Sequence, residues 1–232
     1  MIIESAVEAA IPRLMQKDDC EKLREEEISS LLAKGSELVL SDLGVPNHTK
    51  FVQVEKLYPE NNNSNGIRAD IFIDKDAIVN FGIQTSELYH HIWIECKYLR
   101  HSVASWDIKK LITDIRKLLN NGDGLAYLIV LMHSKLEDHN QENQNLIDIQ
   151  NVLLSMDKKS VESLFEIKEN IEKDEDLPGI ENSEGYSEVK LRRNFSDVFP
   201  LKFGSDTRYY NFVTLKIFSQ NLTKQGYDFD GV

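Results

Sequence analysis

Apolar positions near the start of the chain recur with helical spacing. Val7, Ala10, Ile11 and Leu14 fall on one face of the stretch Glu4 to Lys17, and the spacing predicts a helix there, kinked or shortened by Pro12. Asp18 or Asp19 is placed to cap a second helix running to about Ala33. Leu23, Ile28, Leu31 and Leu32 form its apolar side, and Gly35 closes it. The period then changes. Phe51 to Tyr58 alternates and predicts a strand, followed by an Asn-rich loop from Pro59 to Gly66. Ile67 to Ile73 and Tyr89 to Tyr98 are strand-like. Trp106 to Asn120 returns to helical spacing, with Ile108, Leu111, Ile112, Ile115, Leu118 and Leu119 as its stripe. Leu125 to Met132 is a continuous apolar run, the mark of a strand buried on both faces.

Further along, a helix from about Gln144 to Met156, a loop from Glu169 to Tyr186, and strands at Ser187 to Arg192 and Tyr210 to Phe218 complete the reading. The order helix, three strands, helix, strand predicts an α/β (α+β) fold with a mixed central sheet flanked by helices. One domain over residues 1–232 is expected, with a core at about 20–135 and a C-terminal elaboration at 136–232.

Composition narrows the class. No apolar run approaches bilayer-spanning length, so no membrane partner is expected. Met1-Ile2-Ile3-Glu4-Ser5 lacks the basic start and apolar core of a secretory signal. Cys20 and Cys96 carry neither metal-ligand spacing nor a disulfide framework, which fits a reducing cytoplasm. The formal net charge of −12 argues against nucleic-acid binding when taken alone. The charge is uneven, however. Acidic residues crowd the segment 162–188, whereas Lys97 to Lys117 is basic, with Arg100, Lys109, Lys110 and Arg116 set against Asp107 and Asp114. A local basic surface is what a phosphate backbone meets.

Chemistry concentrates on two of the strands. Asp70 interrupts Ile67-Arg68-Ala69-Asp70-Ile71-Phe72-Ile73. In Ile92-Trp93-Ile94-Glu95-Cys96-Lys97, Glu95 and Lys97 stand two residues apart and share a face, while Ile92, Ile94, Cys96 and Tyr98 take the other. If the strands are neighbours, Asp70 reaches the same patch. Converging carboxylates repel, and a divalent cation resolves this; oxygen ligands suit Mg²⁺ or Mn²⁺. Lys97 is placed to orient water and to stabilise charge developing on a phosphate. Taken singly, Glu95 and Lys97 would read as an exposed pair solvating one sheet face. The triplet Glu-x-Lys also recurs at Glu166-Ile167-Lys168 and Glu188-Val189-Lys190. Only the triplet at 95–97 has an Asp-bearing strand before it and a helix and buried strand after it.

Arg-Ala-Asp-Ile-Phe-Ile followed by Ile-Trp-Ile-Glu-Cys-Lys resembles the core of the PD-(D/E)xK nuclease superfamily, which includes restriction endonucleases, junction resolvases and repair nucleases. Alanine replaces the proline of the motif. The resemblance covers roughly residues 20–135. It implies a restriction-endonuclease-like αβββαβ core, metal binding by Asp70 and Glu95, and catalysis assisted by Lys97. Members often add a glutamate from the first core helix. Glu25, Glu26 and Glu27 all lie there, and the reading leans to Glu26 or Glu27 beside the apolar Ile28.

The resulting expectation is a Mg²⁺-dependent (or Mn²⁺-dependent) endonuclease acting on DNA, in restriction or genome defence, with DNA not distinguished from RNA. A homodimer would suit cleavage of both strands. Lys109, Lys110 and Lys117 are candidate backbone contacts, weighed evenly against an ordinary solvated helix face. His91 shares the face of Glu95, with a structural role favoured. Trp93 and Trp106 are expected in the core rather than stacked on bases. Lys190, Arg192 and Arg193 near Phe195, Tyr209 and Tyr210 form a smaller basic candidate patch. Two alternatives stand beside the enzyme: an inactive nuclease-fold protein that binds nucleic acid, and an acidic protein-interaction module.

Overall fold

The computed structural model describes residues 2–57, 68–79, 90–99, 124–133, 159–160 and 190–218, with residues 107, 110, 111, 113–115, 117, 118 and 153. Two helices open the chain, α1 (Ile2–Met15) and α2 (Glu25–Asp42). The second begins later and runs further than the apolar spacing predicts. Neither Asp18 nor Asp19 caps it. Arg24 occupies the cap position in extended backbone, and Glu27 reaches back to accept its N–H at 3.1 Å. Three acidic residues in the first turn, Glu25, Glu26 and Glu27, suit the positive end of the helix dipole.

Gly35 does not end α2. It lies inside the helix, where α1 crosses closely. A Cβ added there would collide with the Ala6 carbonyl oxygen, a backbone atom that cannot swing aside. Glycine is therefore required by the crossing, not by a turn. Gly35→Ala normally favours a helix interior by about 1 kcal/mol. Here it is expected to destabilise by about 1–3 kcal/mol, the usual scale of overpacking, measured by urea unfolding.

Seven strands follow: β1 (Val52–Leu57), β2 (Arg68–Ile73), β3 (Ile92–Leu99), β4 (Leu125–His133), β5 (Lys159–Ser160), β6 (Lys190–Phe203) and β7 (Asp206–Phe218), with a short helix α3 (Asp76–Val79) after β2. They form one sheet in the order β1-β2-β3-β4-β7-β6-β5. Only β3 and β4 are parallel; the other neighbours are antiparallel, so the sheet is mixed. Residues 107, 110, 111, 113–115, 117 and 118 are helical and lie in the connection between β3 and β4. A helix is the ordinary way to cross between parallel neighbours.

The predicted alternation sorts the side chains of the sheet. Ile71, Ile73, Ile94, Cys96, Tyr127, Ile129 and Phe212 pack with Val7, Leu14, Ile28, Leu32 and Leu40 of α1 and α2. Phe72 pairs with Trp93, Leu128 with Leu215, and Val130 with Val213 on the opposite face. Leu111, Ile115 and Leu118 of the connecting helix are buried. β4 is buried along both faces, as its unbroken apolar run requires.

Residues 190–218 are not an appendage. β6 and β7 are 14 and 13 residues long and form a hairpin, turned at Gly204 with φ +58°, that extends the sheet beyond β4. Phe199, Leu201, Phe203, Tyr210 and Phe212 join the core under α1 and α2. Without β7, the wholly apolar β4 would be an edge strand, an exposure that folded proteins avoid. Among the described residues β5 pairs with β6 at Leu191 and Lys190, and Cys20 N–H donates to the Lys202 carbonyl further along β6.

The expected loop at 59–66, the acidic segment 162–188 and most of the helix expected at 144–156 lie outside the described residues. Among the described residues no helix is long and apolar enough to cross a membrane.

Candidate functional site

Asp70 sits where the sheet comes apart. The β2–β3 ladder runs Ile73↔Ile92, Phe72↔Trp93, Ile71↔Ile94 and then stops, so Asp70 faces Glu95 at the point of divergence. On its other side, the β1 partner would be Glu55, which drops out of the β1–β2 ladder between Val54↔Ile71 and Lys56↔Ala69. Glu55 has φ +56°, a left-handed backbone that a non-glycine residue adopts at a cost. The distortion is local to the residue opposite Asp70.

Divergence bares the N–H groups along the free side of β3, and carboxylates take them. Cys96 N–H donates to Asp70 Oδ2 at 2.6 Å. Two residues on, Tyr98 N–H donates to Glu25 Oε2 at 3.2 Å. Alternate residues of a strand point the same way and lie about 7 Å apart, so the two carboxylates line one edge. Glu25, at the first position of α2, reaches the sheet from the helix N-terminus.

Glu95 and Lys97 project from the other face and are buried, at 1% and 5% relative exposure. They are not a solvated strand pair. Lys97 Nζ lies 3.2 Å from Glu25 Oε1 and 2.7 Å from Asp114 Oδ2. Asp114, on the connecting helix, is itself buried. Lys117, one turn on, lies 2.8 Å from Asp114 Oδ1 and 3.5 Å from Glu95 Oε2. Four carboxylates (Glu25, Asp70, Glu95, Asp114) and two ammonium groups (Lys97, Lys117) thus form one connected cluster.

The electrostatics follow from that arrangement. Burial raises the Asp70 carboxyl to about 6 against the Cys96 N–H bond that favours its charge, and the charges of Glu25 and Asp114 add to the rise. Burial opposes the charge on Lys97, but Asp114 and Glu25 outweigh it and hold the ammonium above its ordinary value. Lys117 behaves likewise, with burial outweighed by Glu95 and Asp114. Lys97 is therefore a fixed cation near neutral pH and unsuited to act as a general base.

The predicted triad of Asp70, Glu95 and Lys97 comes together. The first-helix carboxylate in the cluster is Glu25, which corrects the reading that leaned to Glu26 or Glu27. Glu26 is exposed, and Glu27 is committed to the Arg24 N–H and to Lys17 Nζ at 2.8 Å. Lys117, a candidate backbone contact, is partly exposed and turns its ammonium toward Asp114 and Glu95. Lys110 is exposed, and Lys109 lies outside the described residues. Asp114 escapes the sequence reading, although a signal was present: it falls on the stripe between Leu111 and Leu118, where a charged residue needs a buried partner.

His91 stands apart from the cluster, four residues before Glu95 and so about 13 Å along the strand. Its Nδ1 accepts from Lys75 N at 3.3 Å and lies 3.5 Å from Asp74 Oδ1, and its ring packs on Phe72. Trp93 is buried against Phe72, with ring centroids 4.4 Å apart, as core packing predicts. Cys20 and Cys96 are free and buried. Tyr210 is buried beside Tyr98, His133 and Phe203, while Tyr209 is exposed. Trp106 and the acidic segment lie outside the described residues.

Carboxylate oxygens are the donor type that a hard divalent cation prefers. The oxygens are carboxylate, and the cluster carries a net charge of two negative, which one such cation balances. Among the described residues no group of three or more acidic, histidine or cysteine side chains is arranged to hold a metal ion. Lysines stand among the carboxylates instead. Comparison of the chain with protein-family models, with curated proteins and with solved structures finds no match.

Proposed function

We propose that the cluster is the active site of a metal-dependent nuclease that hydrolyses DNA phosphodiester bonds, in the manner of the PD-(D/E)xK enzymes that the motif resembles. One observation carries the reading: Asp70 and Glu95 face each other where β2 and β3 diverge, with Lys97 two residues on, on the same face and fixed as a cation. The order α2, β1, β2, β3, connecting helix, β4 supports it further. A structural ion pair needs neither four carboxylates for two lysines nor a carboxyl held near 6. Such an excess of buried negative charge is costly unless a ligand uses it.

A divalent cation such as Mg²⁺ or Mn²⁺, held by Asp70 and Glu95, would supply Lewis acidity toward a phosphoryl oxygen and acidify a bound water. The chain's own residues do the rest. Cys96 N–H fixes one Asp70 oxygen. Asp114 and Glu25 clamp Lys97 from two sides, so its ammonium is positioned before substrate arrives. Lys97 then faces the charge that grows on the phosphate in the transition state. Glu25 has a half-exposed side chain at the cluster's edge, where its carboxylate is open to a second ion or to water.

The test is incubation of purified protein with supercoiled plasmid in Mg²⁺, Mn²⁺ or EDTA. Metal-dependent nicking is expected. Mobility shift without nicking would replace the enzyme by an inactive nucleic-acid binder. Neither nicking nor shift would favour the acidic interaction module.

A further inference from the structure

Two of the carboxylates around Lys117 stand at unequal distances from it. Asp114 Oδ1 is a short 2.8 Å away and hydrogen-bonded. Glu95 Oε2 is 3.5 Å away, at the limit of contact. Asp114 thus holds this lysine at closer range than Glu95 does. Glu95 is buried, so a positive charge beside it favours its ionised form. The side chain of Lys117 is 27% exposed, against 5% for Lys97, so its ammonium has room to move that Lys97 lacks.

We infer that Lys117 is a built-in counter-ion for Glu95, which occupies the carboxylate site in the metal-free protein and yields Glu95 when a divalent cation binds. The inference rests on the nuclease reading of the site. Asp114 retains the ammonium after Glu95 is released, so the lysine is not expelled into solvent. It remains beside the site, where it neutralises the phosphate backbone that enters. Lys97 has no such freedom: two carboxylates hold it, and Glu95 is not among its contacts. The two lysines thus divide the work, one fixed and one exchangeable. The device lets a buried carboxylate cluster fold before its metal arrives, at the cost of competition with that metal.

The competition is measurable without substrate. Mn²⁺ is titrated calorimetrically into wild type, Lys117→Gln and Lys110→Gln, the last removing the same charge from the exposed side of the same helix. Lys117→Gln is expected to bind Mn²⁺ about tenfold more tightly, because a like charge next to a ligand oxygen has been removed. Lys110→Gln is expected to bind as wild type. In EDTA, Lys117→Gln should melt lower than wild type, and Mn²⁺ should restore more stability to it than to wild type. A purely structural lysine would lower the melting temperature without tightening Mn²⁺. Equal or weaker Mn²⁺ binding by Lys117→Gln, or the same gain in Lys110→Gln, would overturn the inference and leave the nuclease reading standing. No Mn²⁺ binding by wild type would overturn that reading and the inference with it.

Discussion

Asp70→Asn is expected to abolish cleavage and, in EDTA at pH 7, to make the protein more stable. The first effect follows from losing a charged ligand and should cost roughly 10²–10³-fold or more in rate, the scale of removing one group that stabilises transition-state charge. The second follows from burial. The Asp70 carboxyl is raised from 3.8 to about 6, so the folded protein holds this proton more tightly than the unfolded chain does. For an acid raised in this way, stability is greatest below the unfolded value, falls as pH rises between about 4 and 6, and stays low above. The cost at neutral pH is on the order of 2–3 kcal/mol. Asparagine keeps an oxygen for the Cys96 N–H and carries no charge, so that cost disappears. The gain should shrink towards zero when unfolding is measured at pH 4. A residue that lowers stability and is required for activity is functional, not structural. Glu95→Gln should lose cleavage equally, with its stability change set by the partnership with Lys117.

Lys97→Met should have the opposite effect on stability. Removal of the ammonium leaves Asp114 buried with Lys117 alone and leaves Glu25 without its short contact to a cation. Stripping one partner from a buried pair typically costs about 3–5 kcal/mol. Asp114→Asn in the same chain should recover a large part of that loss, which a double-mutant cycle by urea unfolding would read directly. Additive losses would mean that the 2.7 Å contact contributes little. Cleavage should be lost in both Lys97 variants, whereas Mn²⁺ binding should persist in the folded fraction, because lysine acts on developing charge and not on the ion. If Lys97→Met lost Mn²⁺ while Asp70→Asn kept it, the roles assigned to the two residues would be wrong.

Much of the site was legible because strand parity is strict. The two-residue spacing of Glu95 and Lys97 assigns them a common face, and the apolar Ile92, Ile94 and Cys96 assign that face away from α1 and α2. Asp70 was legible as a charge that interrupts an apolar strand. Glu25 escapes a reading that chooses among the three glutamates by adjacency to Ile28 and not by helical spacing. The apolar spacing carries the helix back to Asp18, whereas the chain turns into it at Arg24, where Glu27 closes the cap. Helical spacing nevertheless marks Glu25, which precedes Ile28 by three residues and Leu32 by seven and so shares their buried face, whereas the choice of a glutamate beside Ile28 in sequence ignores that spacing. Asp114 entered the sequence reading only as a charge set against the basic residues, and Lys117 as a backbone contact or a solvated residue, because counting charges ignores which helix positions are buried. The long hairpin of β6 and β7 was foreshortened for another reason. Residues 193–209 mix Arg, Asp, Pro and Lys with aromatics, and only the pairing of β6 with β7 makes strands of them.

The central claim, that the cluster around Asp70 and Glu95 hydrolyses phosphodiester bonds, is tested most directly by the initial rate of plasmid nicking at saturating Mg²⁺ for wild type and Asp70→Asn in parallel. The two proteins differ by one buried charge, and the variant is expected to be at least as well folded. The account predicts nicking by wild type that EDTA stops, and a rate for Asp70→Asn lower by roughly 10²-fold or more. Equal rates for the two proteins, or an intact plasmid with wild type, would contradict it.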